Sequence, residues 1–144
     1  MAVLVGEGDL KEEIYKQAMR LGINNRLVFT GPVSNVEDYL QAFDVFVFPS
    51  RFEGLPILAV EAQANGLPTI VSTAVTQDVY LTPSITSCSL NDSLDCWAQK
   101  AVLYAGKGRY NNKIELEKAG YSIAQTAAVI RSLYLEKTSK HNEV

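Results

Sequence analysis

The sequence predicts an α/β fold, a mostly parallel sheet flanked by helices. Three observations carry that expectation. Short apolar runs alternate with stretches of helical spacing, the pattern of right-handed strand–helix–strand units. One run, Val45-Phe46-Val47-Phe48, is apolar without a break, as suits a parallel strand covered on both faces. The runs also end in turn residues: Gly6-Glu7-Gly8, Gly31-Pro32-Val33, Pro49 to Gly54, and Ser72 to Thr76. In a parallel sheet ligands bind off the carboxyl ends of the strands, so these four turns are expected to converge on one crevice.

Each element has its own warrant. Ala2 to Val5 reads as a buried strand. Asp9 to Leu21 reads as a helix capped by Asp9, with Glu12 and Glu13 in its first turn and Lys16 and Arg20 near its last. Its Leu10, Ile14, Ala18 and Leu21 share a face, and Gly22 stops it. Arg26 to Thr30 is a second strand. Ser34 or Asn35 caps a short helix whose inner face is Val36, Tyr39, Leu40 and Phe43. Asp44 to Phe48 is the third strand. A helix follows from about Leu55 to Asn65-Gly66, and Pro68 to Ser72 is the fourth strand. A short strand is expected near Val79-Tyr80 or Thr86-Cys88. Ser93 or Asn91 caps a helix through about Gly106, with Leu94, Trp97, Ala98, Ala101 and Val102 inward. Residues 111–120 form a further short helix, and Tyr121 to Lys137 the last one, with Ile123, Ala127, Ile130 and Tyr134 at helical spacing. Residues 1–138 make one domain and 139–144 a polar tail.

Composition narrows the function classes. A chain of 144 residues that is 47% apolar and 20% charged is an ordinary globular domain with room for a core. A net charge of −3 argues against a nucleic-acid partner. No apolar run is long enough to span a bilayer, and the N-terminus lacks a signal-peptide pattern, so a cytoplasmic location is expected. Cys88 and Cys96 are expected as reduced thiols. Gly6 and Gly8 begin a dinucleotide fingerprint, but Lys11 stands where its third glycine belongs.

The chemistry is expected in Phe48 to Pro68. Pro56 suits a first helical turn, where its missing N–H costs nothing. The amides of Leu55, Ile57 and Leu58 would then point back to the loop, and with the helix dipole they favour a phosphate. Glu53 and Glu61 bracket that helix start with seven residues between them. A carboxylate repels phosphate but accepts hydroxyl protons, so phosphate flanked by two hydroxyl-bearing rings describes a nucleotide sugar. A bare pair of acids at this spacing recurs by accident. The surrounding Ile57, Leu58, Ala59, Val60, Ala62 and Ala64 predict a helix buried nearly all round, in which an unpaired Glu61 is costly. Arg51 reaches either a phosphate or one of the two acids.

Gly6-Glu7-Gly8, Phe29-Thr30-Gly31, Phe48-Pro49-Ser50, Glu53-Gly54, Glu61-Ala62 and Gly66-Leu67-Pro68 follow one another in that order. On these motifs the chain resembles retaining glycosyltransferases of the GT-B fold, in the large group (glycosyltransferase family 4) that carries two glutamates at this spacing. More narrowly, it is similar to enzymes of bacterial capsular or exopolysaccharide synthesis. The likeness runs from Val3 to about Lys137. It implies a Rossmann-like, C-terminal donor-binding domain for a UDP-sugar. By that resemblance Glu53 contacts the transferred sugar and is the catalytic candidate, Glu61 holds the ribose, and backbone near Gly31 and Val33 meets the base. The turn at Gly6 and Gly8, Arg51, and the amides after Gly54 (Leu55, Ile57, Leu58) complete the donor site.

Pro56 departs from the glycine-bearing turn of many relatives and removes one amide. Relatives also carry a strand and helix ahead of the segment matching Val3, with an Arg and a Lys on the diphosphate, and a whole N-terminal acceptor domain. The resemblance therefore implies a missing acceptor domain or partner chain, association of the full enzyme with the inner membrane face, and little or no activity from this chain alone. The strands at Ala2–Val5 and Asp44–Phe48 are expected to pair directly, or a partner segment to fill the gap between them. No cofactor and no metal are expected, since no Asp-x-Asp is present and the single histidine, His141, sits in the tail. The other functions open at this point are a nucleotide-sugar 2-epimerase and a non-catalytic nucleotide- or partner-binding fragment. A receiver-like module lacks its acidic cluster.

Overall fold

The computed structural model describes residues 1–141, which divide into two compact units, Met1–Asp38 and the remainder from Tyr39. The first unit is one strand–helix–strand crossover. Strand β1 (Ala2–Val5) leads through α1 (Lys11–Arg20) and a 3₁₀ turn (Asn24–Arg26) to β2 (Leu27–Gly31). The two strands pair in parallel, Ala2 beside Leu27 and Leu4 beside Phe29, and the register slips between Leu4 and Val5 so that Val5 faces Gly31. Helix α1 starts later than expected. Its N-cap is Leu10, with no side-chain cap, so Asp9 does not cap it. It ends as expected at Gly22, where the Ile23 amide donates back to the Ala18 carbonyl. Of the apolar face read from the spacing, only Ala18 is buried.

Helix α2 (Val36–Ala42) follows, with Leu40 buried and the Asn35 side-chain amide donating to Asp38. The second unit then runs β3 (Phe46–Phe48), α3 (Ile57–Ala64), β4 (Thr69–Ser72), a 3₁₀ turn (Gln77–Val79), β5 (Ile85–Cys88), α4 (Leu94–Ala105), α5 (Lys113–Lys118) and α6 (Ile123–His141). Its sheet is parallel with order β3-β4-β5, and every residue of the central strand β4 is buried. The core gathers Ala59 and Val60 of α3, Val71 of β4, Val75, Val79 and Leu116, with Phe46, Phe48 and Ile85 packed against them. Burying each valine, leucine or isoleucine side chain there stabilises the unit by about 1.5–3 kcal/mol.

A polar network sits inside this apolar shell. Buried Gln63 donates to the Ala59 and Val79 carbonyls and accepts from Thr82 Oγ1, which also pairs with Ser84 Oγ. Asn112 donates to the Gln63 carbonyl and to Ser84, tying α5 to the end of α3. Gln63, Thr82 and Ser84 satisfy one another, which is what permits polar side chains in a core, while Asn112 Oδ1 is buried without a partner.

The structure corrects five expectations. Of the two arrangements expected for β1 and β3, direct pairing is not formed among the described residues: β1 pairs with β2 and β3 with β4, in separate sheets. Helix α3 begins at Ile57 rather than Leu55, with Pro56 as its N-cap. It is not buried all round: Ala59, Val60, Ala62 and Gln63 are buried, while Ile57, Glu61 and Ala64 form an exposed stripe. In α4, Ser93 caps as expected, but Leu94, Ala98 and Val102 face outward and Trp97, Lys100, Ala101 and Tyr104 are half-buried. Helix α6 extends through residues 139–141, which were expected as tail. Residues 142–144 and the side chain of His141 lie outside what is described.

Candidate functional site

Strand β3 ends in a loop whose first job is to hold Glu53. Phe46 and Phe48 point to one face of the strand, their rings 5.7 Å apart, and anchor the strand end on the core. Ser50 follows. Its carbonyl accepts a short hydrogen bond from the hydroxyl of Ser72, the last residue of β4. Its own Oγ lies 3.0 Å from Glu53 Oε1 and 3.2 Å from the Phe52 carbonyl. The carboxylate is the stronger acceptor, since a charged partner roughly doubles such a bond. The Glu53 backbone also forms an isolated parallel bridge with Val75, just past the end of β4. Glu53 is thus half-buried and fixed from two strand ends, with Oε2 left to accept.

Helix α3 begins three residues on. Pro56 as N-cap has an extended ψ of 96° and supplies no capping side chain. The first amides bonded inward are those of Ala59 and Val60, both to the Pro56 carbonyl. Among the described residues, the amides of Leu55, Ile57 and Leu58 make no hydrogen bond. Three unpaired donors and the positive end of a helix dipole are the features that favour an anion at a helix start. The apolar side chains of this stretch are exposed: Phe52 84%, Ile57 56% and Leu55 39%. Gly54 has no positive φ and open space where a Cβ would stand, so glycine there leaves the approach to the tip unobstructed.

The other two candidates behave differently from expectation. Glu61, one turn into α3, is exposed and has no side-chain partner. The reasoning that a buried helix forces Glu61 to find a partner therefore fails, because the helix covers the core on one side only. Arg51 is exposed and pairs with neither acid. Among the described residues of this unit, Arg51, Glu53, Gly54, Leu55, Ile57, Leu58 and Glu61 are gathered on one loop and the first turns of one helix.

The remaining candidates belong to the first unit. The Gly6 amide donates to the Gly31 carbonyl at 2.9 Å, and both glycines have positive φ, 119° and 71°. Side chains are strained in that backbone, which is the reason for glycine at both places. A concavity of about 180 Å³ opens beside them, lined by Gly6, Glu7, Gly8, Lys11 and Phe29 among others, with Lys11 Nζ 5.8 Å from the Phe29 ring centroid. Val33 is half-buried in the loop after β2.

Sequence reading missed Ser50 and Ser72, which position Glu53. The signal was present, since a serine at the end of each of two neighbouring parallel strands is placed to bond across. It also missed Arg109, whose guanidinium donates to the carbonyls of Leu40, Gln41, Phe43 and Asn65.

Comparison with known proteins bears on the family and the fold. Residues 1–102 match the family described as glycosyl transferases group 1. The chain is 35% identical, over 97% of its length, to EpsF of Bacillus subtilis (strain 168), named as a glycosyltransferase. It is 38% identical, over 73% of its length, to the Vi polysaccharide biosynthesis protein VipC/TviE of Salmonella typhi. It spans only 38% and 18% of those two relatives. Among solved structures, the Anabaena protein HepE in complex with UDP superposes with a TM-score of 0.61 at 22% identity, over 92% of this chain and 41% of that one. The lipopolysaccharide outer core galactosyltransferase WaaB, without ligand, gives 0.61 at 21% identity, over 78% and 34%. These neighbours carry the GT-B architecture, and its Rossmann-like parallel α/β layering is the one seen here. The chain belongs to the group 1 glycosyl transferases.

Proposed function

We propose that this chain is the donor-binding domain of a retaining glycosyltransferase that moves a sugar from a UDP-sugar to a saccharide or lipid-linked acceptor. The observation that carries the reading is the tip of α3, where three amides between Glu53 and Glu61 make no hydrogen bond among the described residues. The diphosphate lies at that tip, where the dipole and the amides of Leu55, Ile57 and Leu58 stabilise the charge that grows as the sugar leaves. Arg51, unpaired in the same loop, adds a cation to the diphosphate. Glu53, with one oxygen committed to Ser50, offers the other to hydroxyls of the transferred sugar. Its role is positioning, worth much because a small misplacement of a reacting centre is costly. Glu61 accepts from the ribose. Gly6, Gly8, Gly31 and Val33 supply backbone to the nucleotide. No metal takes part, the helix tip and Arg51 standing in for one.

Two relatives support the donor class. HepE was solved with UDP, and an Escherichia coli protein 41% identical over 71 residues is named a UDP-Gal-dependent galactosyltransferase. The acceptor side is contributed by a further domain or partner chain, with the full enzyme at the inner membrane face. Among the described residues no helix is long and apolar enough to cross a membrane.

Calorimetric titration of UDP into the chain and into Glu61→Ala tests the reading. Binding is expected in the first and weakening of about tenfold or more in the second. Equal affinity in both would remove Glu61 from the site, and no UDP binding by the unsubstituted chain would remove the domain assignment. Sugar transfer from a UDP-sugar to a polysaccharide precursor is expected to stay at background for the chain alone. A rate above background would show that it needs no second domain.

A further inference from the structure

Away from the α3 tip, the end of β5 and the start of α4 bring two thiols and a carboxylate together. Cys88 Sγ lies 3.5 Å from Cys96 Sγ and 3.3 Å from Asp92 Oδ2, and Cys96 Sγ lies 4.0 Å from the same oxygen. We propose that Cys88, Asp92 and Cys96 form a binding site for a borderline-soft divalent cation of the zinc type.

The spacing carries the argument. A tetrahedral zinc, with about 2.3 Å to sulfur and about 2.0 Å to oxygen, sets sulfur–sulfur edges near 3.8 Å and sulfur–oxygen edges near 3.5 Å. All three edges of the cluster meet those values after movements of no more than about half an ångström. The ligand types select the cation: two thiolates favour zinc over magnesium or calcium, which take oxygen. The scaffold is already rigid. Cys88 is 2% exposed at the end of β5. Asp92 is held by the Ser89 amide at 2.8 Å, and the Ser93 hydroxyl caps α4 on the Cys96 amide. The nearby carbonyls are committed elsewhere, that of Ser89 to the Trp97 indole N–H and that of Ser87 to Lys100 Nζ. The fourth position therefore falls to water, which reaches it past exposed Asp92. On binding, each S–H bond breaks and a metal–sulfur bond forms. Two protons leave to the buffer, and the cation sheds the waters that its new ligands replace. The loaded cluster carries one net negative charge, and the Lys100 ammonium faces it from α4.

Cobalt(II) titration of the freshly reduced chain tests the site, read by absorption. Expected are a thiolate-to-cobalt charge-transfer band and the intense visible bands of tetrahedral cobalt, saturating at one cation per chain and erased by zinc. Cys96→Ser is expected to abolish the charge-transfer intensity from that thiolate. Asp92→Asn is expected to weaken binding about tenfold or more, since changes outside the ligand set alone reach 10–100-fold. Both variants are chosen because neither side chain is in the core, and circular dichroism of each reports its fold directly. A folded, reduced chain that shows no charge-transfer band overturns the proposal. So does a band unchanged in both variants. A cluster that purifies as a Cys88–Cys96 disulfide and gives no band after reduction also overturns it, and marks the pair as a redox couple instead.

Discussion

Ser50 does for Glu53 what sequence spacing alone does not state: it fixes where the carboxylate points. With Oε1 held at 3.0 Å and Oε2 free, Glu53 is a pre-oriented acceptor rather than a swinging surface acid. Ser50→Ala is expected to cost about 1 kcal/mol of stability, the net worth of one such bond. It should weaken binding of a UDP-sugar more than binding of UDP itself, because in the proposed site only the sugar meets Glu53. Parallel titrations of the two ligands check this, and an equal loss for both would place Glu53 away from the sugar. Gly66 is constrained more severely. Its φ is 66° and an added Cβ would stand 2.1 Å from the Tyr110 carbonyl oxygen. Gly66→Ala should destabilise the chain by about 3 kcal/mol, from backbone strain and collision together, as read by urea unfolding. Cys88 gives a pH signature. Burial, then the hydrogen bonds with Cys96 and Asp92, push its thiol up to about 11 from an ordinary value of 9.0. The folded state holds this proton more tightly, so the contribution is complete below pH 9.0 and is lost as pH rises through about 11. In chelator, the melting temperature should therefore fall between about pH 9 and about pH 11, and fall less in Cys88→Ala. An identical alkaline loss in both would assign it to other groups.

At the scale of elements, the strands were the most legible part of the sequence. Residues 2–5, 27–31, 46–48 and 69–72 all lie within or next to apolar runs cut by turn residues, and backbone pairing needs little more than that. The caps were legible where a side chain reaches the next turn, as Ser93 does for α4. What periodicity leaves open is rotation. It states which residues share a face of a helix, not which face another element covers. In α4 the Trp97 indole bonds to the Ser89 carbonyl and Lys100 to the Ser87 carbonyl. Those two contacts turn Leu94 and Val102 outward, 87% and 76% exposed. The same limit misled the reading of Glu61, inferred to be buried from apolar neighbours that in fact cover one side only. The start of α3 was legible to within two residues, because Pro56 fixes φ but leaves ψ free, and its extended ψ of 96° moves the first turn to Ile57. Arg109 was not, because it acts 66–69 positions away in sequence, on carbonyls at the end of α2. Such carbonyls have no partner inside the helix, and a cation is favoured there. Arg109→Ala should cost about 2 kcal/mol in denaturant unfolding, and Arg109→Lys a smaller part of it, since Nη2 alone meets the Leu40, Gln41 and Phe43 carbonyls while the Nη1 bond to Asn65 needs the second nitrogen of the fork. Full stability in the lysine variant would mean that charge alone matters.

For the whole molecule, the two units differ in how much they bury, and stability should divide accordingly. The second unit has a central strand with no exposed residue and a core shared by α3, β4 and α5. The first, Met1–Asp38, has one buried apolar side chain, Ala18, while Leu4, Val5, Ile14 and Val28 remain 38–40% exposed. A segment of that size with so little burial is below what ordinarily folds by itself. Native-state hydrogen exchange should therefore show the amides of β4 opening only with global unfolding. Those of β1 and β2 should exchange through a smaller opening, about a hundredfold faster or more. Protection in β1 and β2 equal to that in β4 would mean that the two units unfold as one. The distinction bears on the proposed function, because Gly6, Gly31 and Val33, which that proposal gives to the nucleotide, all sit on the weaker unit. Nucleotide that engages them must stabilise β1 and β2 in proportion to occupancy. Saturating UDP should slow exchange there and at Leu55 to Leu58. Slowing at Leu55 to Leu58 alone would assign the diphosphate contact to this chain and withdraw the base contact.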